Sequence, residues 1–62
     1  MYFFIIKYQH VSNKEQRRAM SLQLKKEFWA NEHAAYFHAV NLAYEYMEQN
    51  EFLASVKLIR ET

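Results

Sequence analysis

The chain contains three histidines and no cysteine, so a metal site would have to be built around the histidines, with glutamates as further ligands. The histidines are His10, His33 and His38, and none belongs to an HExxH motif or to another spacing typical of metal ligands. On a helix, His33 and His38 would project about 140° apart, so they could not hold one ion together. His38 would share a face with Glu45, as on an ordinary solvated surface. The sequence therefore predicts no metal and no cofactor.

Nucleophilic catalysis has equally little support. Ser12, Ser21 and Ser55 lie outside any nucleophile-elbow sequence, and the chain has no glycine with which to build a phosphate-binding loop. A domain of 62 residues also has little volume for a buried substrate pocket. We therefore expect no enzymatic activity and no small-molecule substrate.

The one local excess of positive charge lies between residues 14 and 26, although the formal net charge of the chain is only +1. Lysine and arginine side chains neutralise phosphate groups, so this segment is a candidate contact for nucleic acid. Glu15 and Glu27 dilute the charge, and the same cations could simply keep a hairpin loop and a strand edge soluble. The candidate nucleic-acid contacts are Lys14, Arg17, Arg18, Lys25 and Lys26.

Aromatic residues make up 18% of the chain, which is more than so small a core requires. If one helix covers one face of a sheet, apolar side chains on the other face form an exposed patch, and such patches usually mark interfaces. Two alternatives are that residues 11–17 fold over this patch, or that the rings lie half-exposed without consequence. The candidate interface residues are Phe3, Ile5 and Trp29 on this face, with Tyr36, Phe37 and Tyr44 towards the margins of the helix.

The elements that would position these side chains fall into four segments separated by polar clusters. Residues 2–11 are aromatic and β-branched, which predicts a strand. Its first half is apolar at odd and even positions alike, as is typical of a central strand covered on both sides. Residues 32–49 predict a helix with Asn31 as its N-cap. The inner stripe of this helix would comprise Ala35, Ala39, Leu42, Ala43 and Tyr46.

Residues 17–30 are ambiguous. They are good helix formers, and Ser12 with Glu15 could form a capping box. However, their apolar residues scatter around a helical wheel and largely alternate as a strand, and alternation favours the strand. In that strand one face would carry Met20, Leu22, Leu24, Phe28 and Ala30, while Trp29 would point to the other face.

Residues 52–61 also fit two patterns. Phe52, Val56 and Ile59 would form a helical stripe, whereas Phe52, Ala54, Val56 and Leu58 alternate as a strand. A central first strand needs a neighbour on both edges, which favours the strand, and Leu53 or Ile59 would then add to the open patch. The sequence predicts an α+β fold of ββαβ order, a three-stranded antiparallel-type sheet with one helix on one face. The alternative is a mostly α, dimeric helical hairpin with a short strand.

In pattern, the chain resembles small accessory or early proteins of phages and prophages. The resemblance lies in the opening MYFFIIKY strand, the helix HAAYFHAVNLAYEYMEQN and the closing SVKLIRE strand, which cover more than half of the chain without a signature motif. It implies a role exerted by binding rather than catalysis, directed at a host factor or at genome maintenance. No functional residue can be carried over from it.

The first hypothesis is a single domain over residues 1–62 that acts as a protein-interaction module, as a homodimer or on a host protein. A second subunit would stabilise a chain that has neither cysteine nor a large core. The alternative is a nucleic-acid-binding accessory factor, and a third possibility is an antitoxin-like subunit that is stable only beside its cognate chain. Residues 2–6, the longest apolar stretch, are too few to span a bilayer, so we expect no membrane partner and a cytoplasmic location, the host cytoplasm for a phage protein.

Overall fold

The computed structural model describes all 62 residues and shows a three-stranded antiparallel sheet with one helix packed on it. The elements are β1 (Tyr2–His10), β2 (Arg17–Leu24), a short 3-10 helix (Lys26–Phe28), α1 (Glu32–Glu45) and β3 (Glu51–Glu61). β1 lies in the centre and pairs antiparallel with β2 on one side and with β3 on the other. The predicted α+β fold and its strand order are confirmed, and the mostly helical alternative is wrong.

The core lies between the even-numbered side chains of β1 and the helix. Phe4, Ile6 and Tyr8 are the largest fully buried side chains in the molecule. On the helix, every buried residue is an alanine, and these are Ala35, Ala39 and Ala43. Because alanine projects only one methyl group, α1 can approach the sheet closely enough for the large side chains of β1 to fill the space between them.

Both ends of the helix have identifiable caps. The Asn31 side chain accepts a hydrogen bond from the Ala34 amide at 2.9 Å, which confirms the predicted N-cap. At the other end, the Tyr8 hydroxyl donates to the carbonyl of Ala43, one of the last-turn carbonyls that lack a helical partner. The helix ends at Glu45, four residues before the predicted boundary, and the chain has no helix with the length and apolar character needed to cross a bilayer.

Asn50 turns the chain from the helix into β3. It has a φ of 69°, in the left-handed region that favours glycine. The chain has no glycine, and asparagine is among the few other residues that adopt this conformation readily. The Asn50 carbonyl then accepts a hydrogen bond from the Val11 amide at 2.8 Å, which ties this turn to the hairpin between β1 and β2.

β2 is shorter than the predicted segment. Its pairing with β1 ends where Leu24 meets Tyr2, at the beginning of β1. Beyond that point no strand remains to pair with, so the chain turns through the 3-10 helix and the alternation of faces is lost. The prediction that Trp29 lies on the open side is therefore wrong: its ring packs against the core on the helix side and stacks on His38 at 4.2 Å. Phe28, expected to face the core, is exposed.

β3 contains two irregularities that explain its ambiguous pattern. Ile59 and Ala54 each have no partner in the register with β1, so each is the extra residue of a β-bulge. Leu53, Val56 and Leu58 consequently face the core at spacings of three and two residues. Phe52 and Ala54 were predicted to face the core, but both are exposed on other parts of the surface. Leu53 belongs to the core rather than to the open patch.

The close contact between α1 and the sheet leads to a prediction for Ala39→Leu. The added methylenes have no space beneath the helix, so we expect a loss of about 1–3 kcal/mol in the free energy of unfolding, measured by urea denaturation. Ala34→Leu is the matched control, because Ala34 lies on the same helix but is only partly buried. Equal losses in the two variants would contradict a tight packing limit at Ala39.

Candidate functional site

One face of the sheet is not covered by the helix, and we call it the open face. It consists of the side chains that alternate with the core residues along the three strands. In the register of the sheet these residues form four rows, each running from β2 through β1 to β3. The rows are Gln23–Phe3–Arg60, Ser21–Ile5–Lys57, Ala19–Lys7–Ser55 and Arg17–Gln9–Phe52.

Every charged residue on the open face is a cation, and each row contains one. Arg60 and Lys57 lie on β3, Lys7 on β1 and Arg17 on β2, so the four charges run diagonally across the sheet. With a rise of about 3.4 Å per residue and about 4.8 Å between strands, the diagonal is about 22 Å long. None of the four cations is in an ion pair.

The acidic residues lie elsewhere in the molecule. All seven are glutamates, and none occupies an outward position in the rows of the open face. Glu51 and Glu61, at the two ends of β3, pair with β1 residues of the helix side. The net charge of +1 therefore conceals a strong segregation, with unpaired cations on the open face and the carboxylates at the helix side, the loops and the turns.

Two aromatic rings accompany the cations. Phe3 lies half-buried near one end of the diagonal, with the Arg60 guanidinium carbon 4.3 Å from the centre of its ring. Phe52 lies in the row at the other end and is 48% exposed. Between them, shallow depressions flank Lys7, because its neighbours in the same row are the small residues Ala19 and Ser55.

The predicted basic cluster is split by the fold. Arg17 joins the open face, and its Nε donates to the carbonyl of Lys14 in the hairpin loop at 3.3 Å. Lys25 is exposed just beyond the end of β2. Arg18 and Lys26 instead turn to the helix side, where each forms an ion pair with a glutamate at 2.8 Å. The five residues therefore do not form one surface.

Arg18 has a structural role that joins three elements. Its Nη2 donates to Glu51 Oε1 at 2.8 Å and to the carbonyl of Tyr46 at 3.0 Å, immediately after the helix. Its guanidinium also lies over the ring of Tyr8, 4.3 Å from the ring centre. The hydrogen bond from Arg18 lowers the pKa of the Glu51 carboxyl and raises the pKa of Arg18 itself, while burial raises the pKa of Tyr8.

The predicted interface residues also divide between different surfaces. Phe3 and Ile5 lie on the open face, whereas Trp29 packs on the helix side. The other three lie on the exterior of α1, where Phe37 and Tyr44 are 66% and 57% exposed. Together with Val40, these three aromatic residues form an apolar strip along the helix, which we call the helix stripe. Its members are Tyr36, Phe37, Val40 and Tyr44.

Sequence reasoning missed four charged or aromatic residues of the open face, namely Lys7, Lys57, Arg60 and Phe52. Lys7 interrupts the odd-numbered apolar positions of the first strand, which was an available signal. Lys57 and Arg60 could not be placed on the same side, because a bulge separates them and shifts the alternation. Their common face becomes visible only when the pairing of β3 with β1 is known.

The histidines have structural contacts of their own. His10 Nδ1 accepts hydrogen bonds from the amides of Ser12 and Asn13, both at 3.1 Å, and so shapes the hairpin loop. His38 stacks on Trp29. No three side chains of the types that bind metal ions converge anywhere in the molecule.

Two surfaces are thus available for binding, and they differ in chemistry. The open face is cationic with aromatic residues near both ends, whereas the helix stripe is aromatic and contains no charged residue. No protein-family model, curated protein or solved structure matches the chain.

The Arg18–Glu51 pair predicts how stability depends on pH. The pKa of Glu51 is lowered on folding, so its contribution is present above the ordinary value of 4.5 and is lost as the pH falls through the lower folded value. We expect Glu51→Gln to reduce the melting temperature at neutral pH and to flatten its decline below about pH 4.5, measured by circular dichroism. Glu15→Gln, in the exposed hairpin loop, should leave both features unchanged. A Glu51→Gln profile parallel to that of the wild type would contradict this role.

Proposed function

We propose that the protein binds nucleic acid through the open face of its sheet. The observation that carries this proposal is the diagonal of four unpaired cations, Arg60, Lys57, Lys7 and Arg17, on a face that has no carboxylate. A surface with one sign of charge attracts a polyanion, and each phosphate neutralised releases bound counterions. The strands fix the positions of these cations through the hydrogen bonds of the sheet.

The accessibility of the face supports the same proposal. Lys7 lies in the middle of the sheet, and the small residues beside it leave room for a phosphate to approach. Phe52 and Ile59 are large exposed apolar residues on the same strand. An acidic protein would match the charge alone, whereas a nucleic acid offers both phosphates for the cations and flat bases for the exposed ring. The resemblance to phage accessory proteins, which act by binding, agrees with such a role.

Lys7→Gln tests whether binding depends on the open face rather than on the basic cluster that the sequence predicted between residues 14 and 26. With four phosphates contacted, the logarithm of affinity for a single strand should fall with the logarithm of salt concentration with a slope of about −3. Removing Lys7 should reduce the size of that slope by about 0.7 and weaken binding at low salt, measured by fluorescence anisotropy.

Lys26→Gln is the matched control, because it removes the same charge from the helix side. Its ion pair with Glu61 is solvent-exposed and contributes little to stability, so the fold should persist. Equal weakening in the two variants would contradict binding by the open face. If the folded wild-type protein binds no nucleic acid at low salt, the proposed function is overturned.

The helix stripe supports a second candidate, self-association into a homodimer. Phe37 and Tyr44 are large and more than half exposed on a chain too small for an extensive core. A two-fold dimer brings the same surface of both copies together. Pairing of two open faces would place cations against cations, so the uncharged helix stripe is the surface suited to a second copy. This leaves the open face accessible in the dimer.

Phe37→Ser tests the dimer by sedimentation equilibrium. Removal of a central aromatic side chain from a small interface should weaken association by about 2 kcal/mol or more, so the variant should sediment as a monomer where the wild type is dimeric. Phe28→Ser is the matched control, since Phe28 is similarly exposed but lies in the 3-10 helix. A monomeric wild type, or equal effects of the two substitutions, would contradict the second candidate.

A further inference from the structure

We infer that the nucleic acid bound by the open face is single-stranded, with one base stacked on Phe52 and the strand following the diagonal of cations towards Arg60. This inference rests on the proposed function and specifies its ligand. It depends on three features: the width of the sheet, the different exposure of the Phe3 and Phe52 rings, and the hydrogen bonds that the Gln9 amide already donates to loop carbonyls.

The width of the sheet argues against reading a duplex. The major groove of B-DNA is about 12 Å wide and admits a helix or a two-stranded ribbon. Here the cations span all three strands, one strand more than such a ribbon, and α1 covers the back of the sheet, so this face fits the groove poorly. On a duplex it would meet mainly the outer phosphates, where Phe52 has no exposed base face to stack on. Unpaired bases, in contrast, can be brought to a sheet and stacked on its side chains.

The two rings of the open face are not equivalent. The guanidinium of Arg60 lies over Phe3 at 4.3 Å, so one side of that ring is already occupied. No such contact covers Phe52, whose ring is 48% exposed in the same row as Arg17. Phe52 is therefore the ring available for stacking with a base, and Arg17 is placed to contact an adjacent phosphate.

Arg60, at the other end of the diagonal, is held in position by its contact with Phe3. A guanidinium is planar, and its contact with Phe3 limits the orientations of the side chain. An arginine held in this way has lost part of its conformational entropy before binding, so it can contact a phosphate or stack on a second base at a smaller entropic cost. Phe3 is thus a positioning residue for Arg60.

Gln9 is the only uncharged polar side chain in the row that contains Phe52. The Gln9 amide lies next to Phe52 but already donates to the loop carbonyls of Asn13 at 3.0 Å and Gln16 at 3.3 Å. Stacking and charge would then dominate over hydrogen bonding to bases, which gives binding that tolerates many sequences. A diagonal of about 22 Å corresponds to a binding site of about 4 nucleotides, which is at the lower end of the site sizes of small single-strand-binding domains.

The test compares labelled oligothymidylate and oligouridylate, each about 12 nucleotides long, with a duplex of the same length by anisotropy at low salt. We expect both single strands to bind more tightly than the duplex. Phe52→Leu, which keeps an apolar residue but removes the aromatic ring, should weaken single-strand binding about 5-fold or more and leave duplex binding unchanged. Phe28→Leu, in the 3-10 helix and outside both the open face and the helix stripe, is the matched control and should bind single strands like the wild type.

The outcomes separate this inference from the proposed function. If single strand and duplex bind equally, and Phe52→Leu has no effect while Lys7→Gln still weakens binding, the single-strand inference is overturned but nucleic-acid binding stands. If polyglutamate competes as well as the oligonucleotides do, the face recognises charge alone and the base-stacking role of Phe52 is overturned. If no oligonucleotide binds to the folded protein, both proposals fall together.

Discussion

The contact between three helix alanines and the large side chains of the central strand is the constraint on which the rest of the structure depends. Ala35, Ala39 and Ala43 are the buried residues of α1, so the larger apolar residues of the helix lie at its margins, as Leu42 does, or outside. Only one α-helix is present, and it covers only one face of the sheet. Both candidate surfaces, the aromatic exterior of the helix and the uncovered side of the strands, therefore arise from the same packing arrangement.

The parts of the fold that could be predicted were those in which local pattern and tertiary environment agree. The first strand is apolar at successive positions and lies in the centre, and Asn31 caps a helix that buries the predicted alanines. The end of the second strand could not be predicted, because it is set by where its partner begins rather than by its own residues. Trp29 was misplaced for this reason, since alternation was extended beyond the last paired residue.

The candidate site was largely hidden from the sequence for two physical reasons. Net charge sums over the whole surface, so +1 gave no sign that one face of the sheet carries four cations and no carboxylate. Local clustering along the chain was misleading too, because neighbouring strand residues point in opposite directions: Arg17 faces outward while Arg18 is held against Tyr8 and Glu51. The cations that do share a surface come from three strands, and only the register brings them together.

The two bulges of β3 also have a consequence for how large the sheet can become. An edge strand with regular spacing offers an unbroken series of amides and carbonyls to any extended segment of another chain. The extra residues at Ala54 and Ile59 interrupt that series twice within eleven residues, so a fourth strand would find no continuous register along this edge. The two bulges therefore oppose the addition of a strand along β3 and protect this edge of the sheet from polymerisation.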